Sequence, residues 1–153
     1  MLPAFPTSLA PFDLTISSGV VSFAPDLERW LDGLTRTVRP GGDLVIGDIH
    51  PRSRGFERRR GAKPLLPVRE LNAHTRNEVR AGLERRGFRH ARSGAYQLTW
   101  PVPELMHLNE RRLGGALTYP LLWLNRAASR IDRALGSPLQ DQFDSWVMHL
   151  TRH

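Results

Sequence analysis

Residues 35–48, T-R-T-V-R-P-G-G-D-L-V-I-G-D, constrain the fold of this chain more than any other stretch. Pro40 cannot continue a helix, because it lacks the N–H that an interior position donates. Gly41 and Gly42 then allow the backbone angles of a sharp reversal. Leu44, Val45 and Ile46 form a short apolar run, and the segment finishes on the carboxylate of Asp48. A run of this kind between turn residues reads as a strand buried on both faces, the habit of parallel sheets rather than half-solvated ones. Helix end, turn and buried strand together specify an α-to-parallel-β junction.

Upstream, F-D-L-T-I-S-S (residues 12–18) predicts a first strand closing on small residues. Leu27, Trp30, Leu31, Leu34 and Val38 fall at helical spacing between the two strands, so residues 26–38 are expected to form an amphipathic helix begun by Asp26. The second strand is expected over residues 43–49. Residues 52–63, R-S-R-G-F-E-R-R-R-G-A-K, read as a basic loop with no hydrophobic period. Thr75 and Glu78 then stand at capping-box spacing, which predicts a second helix closing at Gly87. A strand over residues 89–100 is terminated by Pro101 and Pro103.

Leu117, Leu121, Leu124, Ala128, Ile131 and Leu135 recur every three or four residues, predicting a third helix with Arg126, Arg130 and Arg133 on its polar side. Its apolar stripe is expected to pack on the core. The other two readings are a cover over a ligand pocket and a basic amphipathic helix lying on a membrane surface. S-W-V-M-H-L-T (residues 145–151) predicts the last strand.

A length of 153 residues suits one domain. With no cysteine, disulfides, a thiolate nucleophile and cysteine-ligated metal are excluded, a composition that suits a cytoplasmic protein. Residues 1–11 hold three prolines and no basic n-region, so they do not read as a signal peptide. The net charge of +7 favours polyanions or acidic lipid surfaces. Lys63 is the lone lysine among the basic residues, however, and no nucleic-acid module with interleaved aromatics accompanies the arginines. Nucleic-acid binding is therefore the weakest reading. The histidines are scattered, without carboxylates at ligand spacing, so no metal site is expected.

Taken in order, F-D-L-T-I-S-S-G-V-V-S-F-A-P-D (residues 12–26), L-T-R-T-V-R-P-G-G, D-L-V-I-G-D-I-H and R-R-G-F resemble the second half of class I S-adenosylmethionine-dependent methyltransferases. Within that family the resemblance is to the small-molecule group that includes quinone-biosynthesis enzymes. It implies an α/β fold, a partial Rossmann-like domain whose mostly parallel sheet has strand order 4-5-7-6 and an antiparallel last strand. The family's N-terminal strands and glycine-rich cofactor loop have no counterpart here, so residues 1–153 are expected to form a single truncated methyltransferase domain. Residues 104–138 are expected to be a helical insertion before the last strand.

The implied activity is methyl transfer from S-adenosylmethionine to a small acceptor, lipophilic or anionic. By resemblance, Ser17, Ser18 and Gly19 approach the cofactor. Asp48 and His50 lie where catalytic groups act on the acceptor, His50 as a general base by its near-neutral pKa. Glu70, Asn72, His74 and Arg52 fall where the family lines its acceptor pocket, and the arginines of the basic loop suit an anionic group. Capping, solvation and loop roles are the structural alternatives at each position. The rival to the enzyme is a truncated or pseudo-enzyme fragment that binds a partner and catalyses nothing. In the family, the strand matching residues 12–18 is flanked by a strand this chain lacks. That edge is expected to recruit a strand from a second copy or from a separate fragment.

Overall fold

The computed structural model describes residues 11–53, 71–99, 105, 109–136, 138–139 and 142–153. Its elements run β1 (Phe12–Ser18), a 3-10 turn (Val21–Phe23), α1 (Leu27–Arg36), β2 (Val38–Ile49), α2 (Arg76–Glu84), β3 (Phe88–Leu98), α3 (Thr118–Ala134) and β4 (Phe143–Arg152). One sheet contains all four strands in the order β1-β2-β4-β3. β1 and β2 are parallel, while β4 runs antiparallel to both β2 and β3. With β1 as strand four, this is the expected order 4-5-7-6 with the last strand reversed between five and six.

The helices form where the sequence supplies caps. Asp26 Oδ1 accepts from the Arg29 amide at 3.0 Å and starts α1. The α1 face of Trp30, Leu31 and Leu34 is buried. At α2, Thr75 Oγ1 accepts from the Glu78 amide at 3.2 Å and Glu78 Oε2 accepts from the Thr75 amide at 2.7 Å, the expected reciprocal cap. Those bonds to Thr75 hold the Glu78 carboxyl below its ordinary pKa. Gly87, at φ +82°, closes the turn after α2 in the left-handed region that favours glycine. Arg85 and Arg86 then reach back to Glu28 and Asp32 on α1, each with a contact at 2.7 Å.

The core lies between these helices and the sheet. Leu31, Leu34, Val79 and Leu83 from the helices meet Leu44, Ile46, Phe88, Trp146, Met148 and Leu150 from the strands. Each fully buried aliphatic side chain of this kind contributes about 1.5–3 kcal/mol.

Two expectations are corrected. The Pro-Gly-Gly segment does not precede β2 but lies inside it, since the strand begins at Val38. Phe12 pairs with Val38 and Leu14 with Asp43, so residues 39–42 bulge out of the ladder. Gly41 sits at φ +77°, and a Cβ on Gly42 would meet the carbonyl oxygens of Phe12, Asp13 and Arg39 at 3.0 Å.

The second correction concerns α3. Its expected apolar stripe does not pack on the core: Leu121 is buried, but Leu124, Ile131 and Leu135 are exposed. The face against β3 is instead polar and hydrogen-bonded. Asn125 Oδ1 accepts from the Leu98 amide at 3.0 Å, and Ser129 Oγ donates to the Ala95 carbonyl. Asp132, also buried, accepts from the Leu139 amide at 2.7 Å. Hydrophobic periodicity located the helix correctly and misassigned its inner face.

Among the described glycines of the sheet the closest approach is at Gly47, where an added Cβ would stand 2.8 Å from the Trp146 carbonyl oxygen of β4. That oxygen is backbone within a central ladder and has no room to retreat. Gly47→Ala is therefore expected to destabilise the chain by about 1–3 kcal/mol, read as a lower urea midpoint. An unchanged midpoint would show that β2 and β4 can separate at this point without loss.

Candidate functional site

The candidate site lies at the carboxyl ends of β1 and β2, the edge where open α/β sheets bind ligands. Parallel pairing sets Ser17 beside Ile46 and Ser18 beside Gly47, so the two strand ends finish together. The Gly19 amide continues the ladder by donating to the Gly47 carbonyl at 2.9 Å. Gly19 holds φ +68° with open space where a side chain would project. Ser18 and Gly19 are exposed and Ser17 is half-buried, so this strand end offers backbone and small side chains to whatever approaches it.

Asp48 is buried and its carboxylate is fully engaged by the protein. Oδ2 accepts from the Ser22 amide at 2.8 Å; Oδ1 accepts from Ser22 Oγ at 3.1 Å and from the Ile49 amide at 2.6 Å. The end of β2 thus grips the loop that follows β1. That loop in turn holds the segment before α2. The Ser22 carbonyl accepts from the Asn72 amide at 2.7 Å and from Asn72 Nδ2 at 3.3 Å. His74 Nε2 lies 2.7 Å from the Ala24 carbonyl, which fixes the proton on that nitrogen, since a carbonyl can only accept.

His50 is also buried, directly after β2. Its amide donates to the Asp144 carbonyl at 2.6 Å and its Nδ1 accepts from the Arg52 amide at 3.2 Å. A neutral imidazole whose Nδ1 accepts carries its proton on Nε2. Proton abstraction through Nδ1 therefore requires the Arg52 amide to let go. Arg52 itself is exposed at the rim.

Of the residues singled out from sequence, Ser17, Ser18, Gly19, Asp48, His50, Arg52 and His74 gather at this one edge. Glu70 and the rest of the basic loop beyond Ser53 lie outside the described residues. Sequence reasoning missed Ser22, which joins Asp48 to Asn72. Its only signal was a small polar residue within an apolar run, G-V-V-S-F-A. Also unforeseen was Trp146, which pairs with Asp48 across the sheet. Its buried indole N–H has no partner among the described residues. Among the described residues no cluster of His, Asp or Glu has metal-binding geometry.

Comparison with solved structures gives the fold. The chain matches an S-adenosylmethionine-dependent methyltransferase from Archaeoglobus fulgidus with a TM-score of 0.55 at 15% identity, covering 94% of this chain and 60% of that one. A methyltransferase of the same cofactor class from Thermotoga maritima matches at 0.53 and 15% identity, over 93% of this chain and 56% of its own. One from Methanosarcina mazei matches at 0.51 and 13% identity, over 94% and 60%. The chain has the fold of the class I S-adenosylmethionine-dependent methyltransferases and spans 56–60% of the length of these structures. No protein-family model matches the sequence, and no curated protein matches it significantly.

The Asp48 network predicts an asymmetric response to mutation. Asp48→Ala strips the partner from two backbone amides and a hydroxyl at a buried position, so a loss of about 3 kcal/mol is expected in urea unfolding. Asp48→Asn is also expected to destabilise, because its NH2 group faces a donor at Ser22 or Ile49. A variant within about 0.5 kcal/mol of wild type would show that water replaces the carboxylate and that the grip is not structural.

Proposed function

We propose that this chain carries the acceptor side of an S-adenosylmethionine-dependent methyltransferase acting on a small molecule. The observation that supports the reading is a convergence at one sheet edge: the Ser17–Gly19 strand end, the Asp48–Ser22–Asn72 network, and both His50 and His74. The residues present fit one wall of a cofactor site. Gly19 is open where a side chain would obstruct a ligand, and Ser17 and Ser18 add only short hydroxyls. When bound, S-adenosylmethionine supplies a methyl group on a positively charged sulfur, and its transfer by direct displacement depends chiefly on alignment.

In this reading Asp48 is a positioning residue, since its carboxylate is spent on Ser22 and Ile49. His50 and His74 form the acceptor-side wall, and Glu70 is assigned to the acceptor by resemblance alone. Arg52, exposed at the rim, suits an anionic group on the acceptor. The acceptor is then small and carries a phosphate or carboxylate, or is lipophilic with such a group at one end.

A second reading is favoured by a separate observation: β1 is uncovered. Leu14 is 53% and Ile16 67% exposed on one face of this edge strand. Beside it a groove of about 590 Å³ is lined by residues that include Leu14, Thr15, Ile16, Trp30, Leu34 and Thr37. An edge of this kind takes up a further strand, from a second copy or from a polypeptide supplying the rest of the fold. The two readings combine: the cofactor wall is completed only when β1 is covered.

Calorimetric titration tests the first part. The 153-residue chain alone is expected to bind S-adenosylmethionine far more weakly than low micromolar, about −8 kcal/mol; binding at that strength would sink the dependence on a covered β1. Chromatography with light scattering tests the second. The chain is expected to self-associate at tens of micromolar, roughly the range where exposed edges pair, and Ile16→Lys to reduce this. Ile16 is a cleaner probe than Thr15, whose hydroxyl bonds the Thr37 carbonyl and Oγ1 at 3.2 Å. A monodisperse monomer would show that β1 is already covered by this chain.

A further inference from the structure

α3 presents to solvent a surface that its own fold does not use. Its inner face is settled by Leu121, Asn125, Ser129 and Asp132 against β3 and the following turn. Facing outward, Tyr119 is 83%, Trp123 71%, Leu135 66% and Ile131 56% exposed, with Leu124 also exposed. At 3.6 residues per turn, Trp123, Ala127, Leu124, Ile131 and Leu135 form one stripe roughly a third of the circumference wide. Arg126, Arg130 and Arg133 are spaced by four and three residues and form a second stripe beside it, with Tyr119 among them. All three arginines are exposed and none is ion-paired among the described residues, but the Arg133 guanidinium turns back over Gly94 of β3, which leaves Arg126 and Arg130 to face outward. The single acid on the helix, Asp132, is buried and bonded to the Leu139 amide. The outer surface is therefore apolar and cationic, with no acid on it.

We infer that the outer face of α3 docks on an anionic lipid bilayer, lying in the interface plane with Trp123, Leu124, Ile131 and Leu135 in the headgroup–acyl boundary and Arg126 and Arg130 on the lipid phosphates. Charge complementarity selects this occupant over a second copy. Two copies stacked through α3 bring arginine edges together with no exposed acid on the helix to receive them, and each copy already carries +7. An anionic membrane supplies the missing charge. Exposed Trp and Tyr beside arginine are the residues that settle at membrane–water interfaces, where the ring is half in hydrocarbon and its polar edge stays wet. The contact is peripheral, because no described helix is long and apolar enough to cross a membrane. It is independent of the methyl-transfer reading, since none of its residues belongs to the candidate site.

The test is co-sedimentation of the full chain with large unilamellar vesicles, comparing one part phosphatidylglycerol in two parts phosphatidylcholine with phosphatidylcholine alone. Partitioning into the anionic vesicles is expected, with a fall as salt is raised. Arg126→Glu with Arg130→Glu is expected to weaken it by well over tenfold, since each arginine near such a surface is worth about fivefold. Trp123→Ser with Ile131→Ser is expected to weaken it at every salt concentration, while the far-UV circular dichroism of both double variants stays that of wild type. Brominated lipids are expected to quench wild-type tryptophan fluorescence more than that of Trp123→Phe. Equal partitioning into neutral vesicles, no partitioning, or variants that sediment like wild type overturn the inference. So does concentration-dependent assembly without lipid that these α3 substitutions abolish, which would identify a second copy as the occupant.

Discussion

The Asp48 carboxylate holds the carboxyl ends of β1 and β2 and the loops beyond them together. A sheet alone aligns strand ends but leaves the loops beyond them free, and loops carry the functional groups of α/β proteins. Here one buried acid removes that freedom. Its two oxygens bind the amide and hydroxyl of Ser22, and Ser22 passes the constraint on through its carbonyl to Asn72. His74, two residues further, is tied to Ala24 of the same loop. Ser22, 26 residues before Asp48, and Asn72, 50 residues after Ser22, are thereby fixed to one strand end. A buried carboxylate without such donors is costly, so the network and the charge require each other.

The sheet is asymmetric in a way that follows from its strand order. β2 and β4 lie in the middle and are buried along much of their lengths, with Ile46, Met148 and Leu150 inaccessible. β4 is pinned at both ends, by Asp43 bonding His149 and Thr151 at 2.9 Å near one and by the Asp144–His50 backbone bond at the other. β1 has β2 on one side only. Thr15 and Ser17 turn to the α1 side and are half-buried, while Leu14 and Ile16 project the other way into solvent. The free energy that stabilises the centre is thus absent from the strand that carries Ser17, Ser18 and Gly19.

The sequence was most legible where one residue type answers one local need. Thr75 and Glu78 announced a cap and formed it; Gly87 announced a left-handed turn and adopts it. The strand order followed from the resemblance, and the reversed last strand with it. Legibility failed where two patterns competed. Pro-Gly-Gly signals a turn, yet parallel pairing with β1 resumes on either side and absorbs the segment as a bulge. In α3 the repeat of Leu and Ile marked a helix, but Asn125, Ser129 and Asp132 had backbone partners in β3 and the following turn, and these decided which side faces in. Ser22 was invisible because a serine in an apolar run has meaning only once Asp48 is beside it.

The arginines show why composition could not settle the partners. Arg86 lies against α1, with its guanidinium near Glu28 and Asp32 and a further bond to the Gly82 carbonyl at 2.9 Å. Arg85 shares Glu28. Such pairs align two helices and leave little field outside, and each exposed one adds no more than about 1 kcal/mol. Arg126, Arg130 and Arg133 stand on α3 with no ion-pair partner among the described residues. The same residue type therefore has opposite consequences: Arg85 and Arg86 are neutralised within the fold, while Arg126 and Arg130 face outward. The net charge counts both alike. Only the position of the acids separates them, and it concentrates the outward positive potential beside the exposed Trp123 rather than spreading it over the molecule.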